Sequence, residues 1–417
     1  MTTNISTSER SGPLAGLRVL DLSRILAGPT CTQLLGDMGA DIIKIERPGA
    51  GDDTRKWGPP FVTDANGGDT GESAYYLCAN RNKRSVAVDL SSPEGSALIR
   101  RLLRSCDVLI ENFMVGGLAR YGLAYADLKE EFPALVYCSI SGFGQTGPYA
   151  DRAGYDYLIQ GMGGIMSLTG EPDGEPMKVA VGIADVMCGM YASSAILAAL
   201  RHRDATGEGQ YIDIGLADTQ VAWLINEGTN YLTSRRLPRR LGNAHPNIVP
   251  YQLMPASDGH FILATGNDRQ YQRFCTFAGA PELGTDPKYH TNRDRLANRD
   301  ELIAKLKDLT RRHTMDYWID GLLPLGVPCG PVNNLEQVFS DPHFLHRDMK
   351  ISMPHPQAGS GTVDLIGNPL KFSKTSVQYR HAPPVLGQHT AEVLRELLDI
   401  DEDEYRTLCN GNVIQGD

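Results

Sequence analysis

The chain has no CxxC pair and no HExxH segment, so nothing in it has the spacing of a structural or catalytic zinc site. Its eight cysteines stand apart, at positions 31, 78, 106, 138, 188, 275, 329 and 409. No secretory signal precedes them, and the expectation is a cytoplasmic protein with reduced thiols. Residues 1–12 are polar and lack the arginine clustering of a transit peptide, so a frayed start is expected. No apolar run approaches the length of a bilayer span, which predicts a soluble protein away from membranes. An excess of basic residues is missing too. Lys and Arg number 40 against 50 Asp and Glu, a net charge of −10. That excludes a general nucleic-acid binder and leaves any anionic ligand to a local basic patch. Internal repeats and low-complexity tracts are also absent.

What is present is an ordinary globular composition, 41% apolar and 22% charged, over 417 residues. That length has room for two or three domains. Residues 17–22 read as a buried strand. Pro29 suits the first position of a helix that stops at Gly39, and residues 40–46, with Ile42, Ile43 and Ile45, form a second strand. Such a strand–helix–strand unit starts a doubly wound α/β sheet. The unit carries no GxGxxG, so by itself it does not imply NAD. Residues 47–75 form a long polar loop, functional or mobile. Asn80, Arg81, Asn82, Lys83 and Arg84 then place three cations in four residues, which alone reads as a solvated turn.

Further strands are expected at 85–90, 107–113, 135–140 and 210–214, with helices after Ser92 and over 216–230. Ligands of open α/β sheets gather at the carboxyl ends of the strands, where Arg47, Asn112, Phe113 and the 141–149 loop fall. Residues 1–225 make the first part of a large domain. Residues 226–339 make a smaller α+β domain with its linkers, containing an Asp258-Gly259 hairpin turn. Residues 340–417, with a helix after Gly387, return to the large domain.

One acid, Asp185, lies in an apolar stretch with no other charge before Arg201. Residues 179–184 read as a strand or extended segment, and a helix rich in small residues follows. Asp185 falls where a helix cap would be. Position leaves two readings open: a capping aspartate, or a carboxylate held at the mouth of an apolar element as a nucleophile.

Several segments together resemble the class III coenzyme A transferases, the family of formyl-CoA transferase. They are Leu26-Ala-Gly-Pro, Gly39-Ala-Asp-Ile-Ile-Lys-Ile-Glu-Arg, Asn82-Lys-Arg-Ser, Glu111-Asn-Phe, Ala184-Asp185, Gly326-Val-Pro-Cys-Gly-Pro-Val and Leu386-Gly-Gln-His-Thr. Their order and spacing carry the resemblance across nearly the whole chain. The segments starting at Arg47 and His245 are most similar to the branch that moves CoA between dicarboxylic acids. The resemblance implies a Rossmann-like large domain built from both chain ends, a smaller domain, and two subunits interlocked as linked rings. It implies acyl-CoA and small carboxylic acids as substrates, no tightly bound cofactor and no metal. It places the catalytic aspartate at Asp185, and both roles can hold at once, since a cap position keeps an acid ionised through nearby N–H groups.

By the same resemblance, Arg47, Lys83 and Arg120 surround the CoA phosphates. Asn112, Phe113 and the backbone of Leu26 and Ala27 follow the nucleotide and pantetheine. Asn80, Arg81 and Asn82, with Ile140, Ser141, Gly142 and Phe143, supply further CoA contacts. A lysine of the formyl-CoA enzyme aligns with Ser141, so one polar contact differs. Its glycine-rich lid is replaced by the segment starting at Gly242, Asn243, Ala244 and His245. Gly242, Asn243 and His245 thereby become acceptor-acid contacts, with a plain loop hydrogen bond as the alternative for His245.

The implied chemistry is covalent: Asp185 attacks the thioester, and an aspartyl–acyl anhydride and an aspartyl–CoA thioester follow. Three other readings stand beside it. An NAD enzyme is disfavoured because the first strand–helix–strand unit lacks its fingerprint, and a non-catalytic CoA-binding protein would not need Asp185. An α-methylacyl-CoA racemase would use a histidine in a Gly-His-Asp segment. Here the segment is Gly154-Tyr155-Asp156, and a phenol loses its proton about three pH units above an imidazole.

Overall fold

Val19 and Leu20 face opposite sides of strand β1 (Arg18–Asp21), and both are buried. Ile42 and Ile43 do the same in β2 (Asp41–Glu46). Strands that are apolar on both faces need cover on both. The computed structural model, which describes residues 11–416, shows how that cover is built; residues 1–10 of the expected frayed start lie outside the described residues. The other strands of this sheet are β3 (Lys83–Val88), β4 (Val108–Glu111), β5 (Val136–Ser141), β6 (Tyr211–Gly215) and β7 (Ile414–Gln415). Their order is β7-β3-β2-β1-β4-β5-β6, parallel throughout except for β7.

The chain divides into two units, 1–165 with 179–229 and 342–417, and 166–178 with 230–341. In the first, helices α1 (Ala27–Asp37), α3 (Asp156–Met162), α4 (Ile183–Thr206) and α5 (Leu216–Ala222) cover one face of the sheet. Helices α2 (Pro93–Leu103) and α6 (Thr390–Leu398) cover the other. Ser92 caps α2 by accepting from Gly95 N at 2.9 Å. Contrary to the expectation from the sequence, one apolar helix does reach bilayer length. It is α4, 24 residues long. It lies against α1, where a Cβ on Gly189 would stand 2.6 Å from Ala27 O, so only glycine allows the approach.

The loop after β2 is not a free polar segment. It contains a 3-10 turn, Asp53–Lys56, and a hairpin of Phe61–Thr63 with Asp69–Ser73. Arg55, 4% exposed, donates to both oxygens of Glu46 (2.9 and 2.7 Å), to Glu72 (2.7 Å), to the Tyr76 hydroxyl (2.6 Å) and to Pro384 O (3.1 Å).

Two more expectations need correction. Residues 179–182 form no strand, Val179 N donating instead to the Gln160 side chain at 2.8 Å, and 216–230 is broken in two, with Ile225 at φ +26°. Gly142, Gly144 and Gly147 have dinucleotide-loop spacing after β5, yet the chain turns there and no helix opens until Asp156.

The second unit holds an antiparallel sheet of Cys329–Pro331, His260–Ala264 and Tyr251–Pro255 over a core of Phe261, Tyr271, Phe274, Leu302 and Trp318. Its span of 230–341 replaces the expected 226–339. It also takes in 166–178, which sequence placed in the large domain. The reason is backbone pairing: Gly242 N donates to Gly170 O (3.1 Å), and Arg240 donates to Glu171 O (3.1 Å).

Candidate active site

The sheet order places the site. From β1 the chain steps outward to β2 and β3, then returns to β4 on the other side of β1. Loops leaving β1 and β4 therefore diverge and leave a crevice at their carboxyl ends. Asn112 ties the two exits together, accepting from Arg24 N (2.9 Å) and donating to Arg24 O (2.7 Å).

Asp185 opens onto this crevice. It lies in the first turn of α4, three residues past the N-cap Gly182, rather than at the cap itself. The capping acceptor is Asp156 of α3, whose Oδ1 takes the Ala184 N–H at 2.7 Å. Among the described residues no donor reaches the Asp185 carboxylate. Burial pushes its pKa up to about 7, with the like charge of Asp156 adding to the effect. A buried carboxylate with no hydrogen bond to stabilise it is a reactive one once ionised.

A cavity of about 220 Å³ surrounds Asp185 and is walled by Arg24, Ala27, Asn112, Phe113, Ile140, Ser141, Gly142, Arg152 and Tyr155, among others. A Cβ on Gly142 would stand 2.6 Å from the Gly154 Cα, so the two glycines let the 149–155 loop close against the end of β5. A second cavity, of about 610 Å³, shares Arg24, Phe113 and Met114 with the first. It adds Arg47, Asp89, Ser91, Gly117, Arg120 and Tyr121. Among the described residues neither Arg47 nor Arg120 has an acidic partner at ion-pair distance, and Arg120 lies over the Tyr121 ring at 4.6 Å. A basic, partly aromatic hollow that shares its wall with the Asp185 cavity suits a polyanion with a reactive tail.

The crevice thus gathers Ala27, Arg47, Asn112, Phe113, Arg120, Ile140, Ser141, Gly142 and Asp185. Leu26 is buried against Gly182, and Phe143 packs edge-on to Tyr149; neither lines a wall.

The stretch 80–83 is a correction. Lys83 is fully buried and donates to Pro29 O (3.0 Å), Asn80 Oδ1 (3.0 Å) and Asp21 (3.3 Å). Burial lowers its pKa to about 8, against the pull of Asp21. With no exposed surface it has no path to a phosphate. Arg81 pairs with Asp37 (2.6 Å), Asn82 donates to Asp37 (2.8 Å) and Gln378 O (2.6 Å), and Asn80 donates to Tyr76 O (2.7 Å). All four residues act inside the fold.

Gly242 and Asn243 line a separate cavity of the second unit, of about 660 Å³, with Arg239, Arg299, Lys307 and Arg311. His245 lies outside that wall. Its Nδ1 accepts from Asn247 N at 3.0 Å, the loop hydrogen bond offered as its alternative role.

Sequence reasoning missed Arg24, Arg152 and the capping role of Asp156. Arg24 lies three residues past the end of β1, but its importance depends on β4 being the neighbour, which no local pattern states.

The origin of the Asp185 shift gives a test. Only the ionised carboxylate attacks, so a pKa raised to about 7 makes kcat/KM of the free enzyme fall as pH drops through about 7. Asp156→Asn keeps an oxygen for the Ala184 N–H and removes the like charge. The acid limb should move to lower pH, read from a kcat/KM profile between pH 5 and 9. A limb that stays in place would assign the shift to burial alone.

The chain belongs to CoA-transferase family III, which matches residues 14–390. It is 50% identical over 393 residues to the succinate–glutarate CoA-transferase of Agrobacterium fabrum, covering 94% of this chain and 97% of that protein. It is 42% identical over 402 residues to the succinyl-CoA:glutarate CoA-transferase of Homo sapiens, covering 96% and 90%. A solved CAIB/BAIF family protein from Brucella suis superposes with a TM-score of 0.81 at 48% identity, covering 93% of this chain and 100% of that one.

Proposed function

We propose that the chain transfers coenzyme A between succinate and glutarate, or dicarboxylates of that length, with Asp185 as the nucleophile. The observation that carries this reading is a buried carboxylate, free of hydrogen bonds, at the narrow end of a crevice whose wide end carries Arg24, Arg47 and Arg120. In this reading Arg47 and Arg120 meet the CoA phosphates, and Asn112 and Phe113 flank the pantetheine. The thioester then enters the smaller cavity.

An Asp185 oxygen attacks the thioester carbonyl, and the C–S bond breaks to give an aspartyl–succinyl anhydride and CoA thiolate. The thiolate attacks the aspartyl carbonyl, releasing succinate and leaving an aspartyl–CoA thioester. Glutarate attacks that thioester, again expelling the thiolate. The thiolate then takes the glutaryl carbonyl, and Asp185 leaves as a free carboxylate. Each stage exchanges a carboxylate for a thiolate or the reverse, and overall one carboxylate replaces another on CoA, so no external energy source is needed. Water must stay out, since it would hydrolyse the anhydride.

The racemase reading is tested in the same experiment. Incubation with succinyl-CoA and glutarate should form glutaryl-CoA, and a branched acyl-CoA in deuterium oxide should take up negligible label at the α-carbon. Rapid deuterium uptake, with no transfer to any acid tried, would establish the racemase instead.

A further inference from the structure

A dicarboxylate brings a second negative charge into the Asp185 cavity. Two acids already line that cavity, Asp185 and Asp53. A distal carboxylate entering without a cation would be repelled and desolvated at once. The wall offers two cations, Arg24 and Arg152, and the structure separates their roles.

Arg24 is already neutralised. Its Nη1 pairs with Asp53 at 2.8 Å, its backbone is tied to Asn112, and it also belongs to the larger cavity. Arg152 has no acidic partner among the described residues. It is nonetheless held in place. Its guanidinium carbon sits 3.8 Å from the centre of the Tyr149 ring, and its backbone N–H donates to Tyr149 O at 2.9 Å. A guanidinium lying on an aromatic face keeps its N–H edge free for a bidentate carboxylate. Its loop is pinned to β5 by the close approach of Gly142 and Gly154.

Resting on the dicarboxylate reading above, we propose that Arg152 receives the distal carboxylate of the substrate and sets the preference for dicarboxylic over monocarboxylic acids. The same contact serves both halves of the reaction, because donor acyl group and acceptor acid occupy the cavity in turn. A long side chain stacked on a ring, rather than locked in an ion pair, can follow a chain longer by one methylene. That accounts for one cavity taking both four- and five-carbon acids.

The test compares glutarate with its monoamide, whose distal group is neutral. The wild-type protein is expected to favour glutarate by about tenfold to a hundredfold in kcat/KM, the scale of a charge-assisted pair lost to an uncharged group. Arg152→Met should bring that ratio close to one by raising KM for glutarate. Its affinity for free CoA should stay the same. Arg152→Lys should keep part of the preference. A ratio unchanged in Arg152→Met, or one that collapses only in Arg24→Met, overturns the assignment while leaving the dicarboxylate reading intact. A wild-type protein with no preference for glutarate over its monoamide overturns both.

Discussion

Asp185→Ala should lower CoA transfer by about 10³-fold or more while leaving free CoA bound. The size follows from the cavity. Of the carboxylates near Asp185, Asp53 is held by Arg24, and Asp156 is committed to the Ala184 N–H and the Gln160 amide. Neither is placed to take over attack. During turnover, hydroxylamine should trap the anhydride or thioester as a hydroxamate on the peptide containing Asp185. Near-normal transfer by the variant would remove Asp185 from the reaction. A stability measurement adds a sign. An acid whose pKa is higher in the folded than in the unfolded chain makes folding less favourable once pH exceeds the unfolded value. Neutralising it in Asp185→Asn should therefore leave the denaturation midpoint at neutral pH unchanged or raised. A merely structural aspartate would show the opposite.

Arg55→Met should be the most damaging substitution for stability, costing about 3–5 kcal/mol, the range for removing one partner of a buried ion cluster. Glu46 and Glu72, 4% and 6% exposed, would be left facing each other with no cation between them. The Tyr76 hydroxyl and Pro384 O would lose their donor as well. The denaturant midpoint is the measurement, taken at pH 7 with the slope compared to confirm equal exposure on unfolding. A shift equivalent to less than about 1 kcal/mol would mean the cluster relaxes or admits water.

Local pattern sufficed for the strands of the large sheet. Consecutive apolar residues at Val19–Leu20 and Ile42–Ile43 mark them, and their observed ends lie close to the expected ones. Pattern failed where a partner comes from far along the chain. Three cations in four residues read as a solvated turn, yet β3 pairs with β2, bringing Arg84 to Asp41 (2.7 Å) and Lys83 to Asp21. The interior acids are visible in the sequence, but which strand answers them is not. Asp185 looked like a cap because the group that caps its helix, Asp156, lies 28 residues before Ala184 on another helix. The loop after β2 looked mobile because the glutamates that hold Arg55 lie on either side of it, at Glu46 and Glu72. Within the site, the placement of Asp185 and of the strand-end residues on the crevice was legible. Arg24 and Arg152 were not, because their meaning depends on which loops meet.

The closing of the large sheet by the far end of the chain has a consequence for synthesis on the ribosome. Ala87 N waits for Thr390 Oγ1, 303 residues later, and Gly49 N for the side chain of Gln415, 366 residues later. Until those residues emerge, Val86 and Val88 face an incomplete layer that Val393, Leu394 and Ile414 will later fill. At roughly 5–20 residues per second, the nascent chain carries that open apolar face for tens of seconds. The second unit, continuous from 230 to 341 apart from one short segment, is complete before then. Chaperone demand should accordingly concentrate on the nascent large unit and end only when the last strand is released.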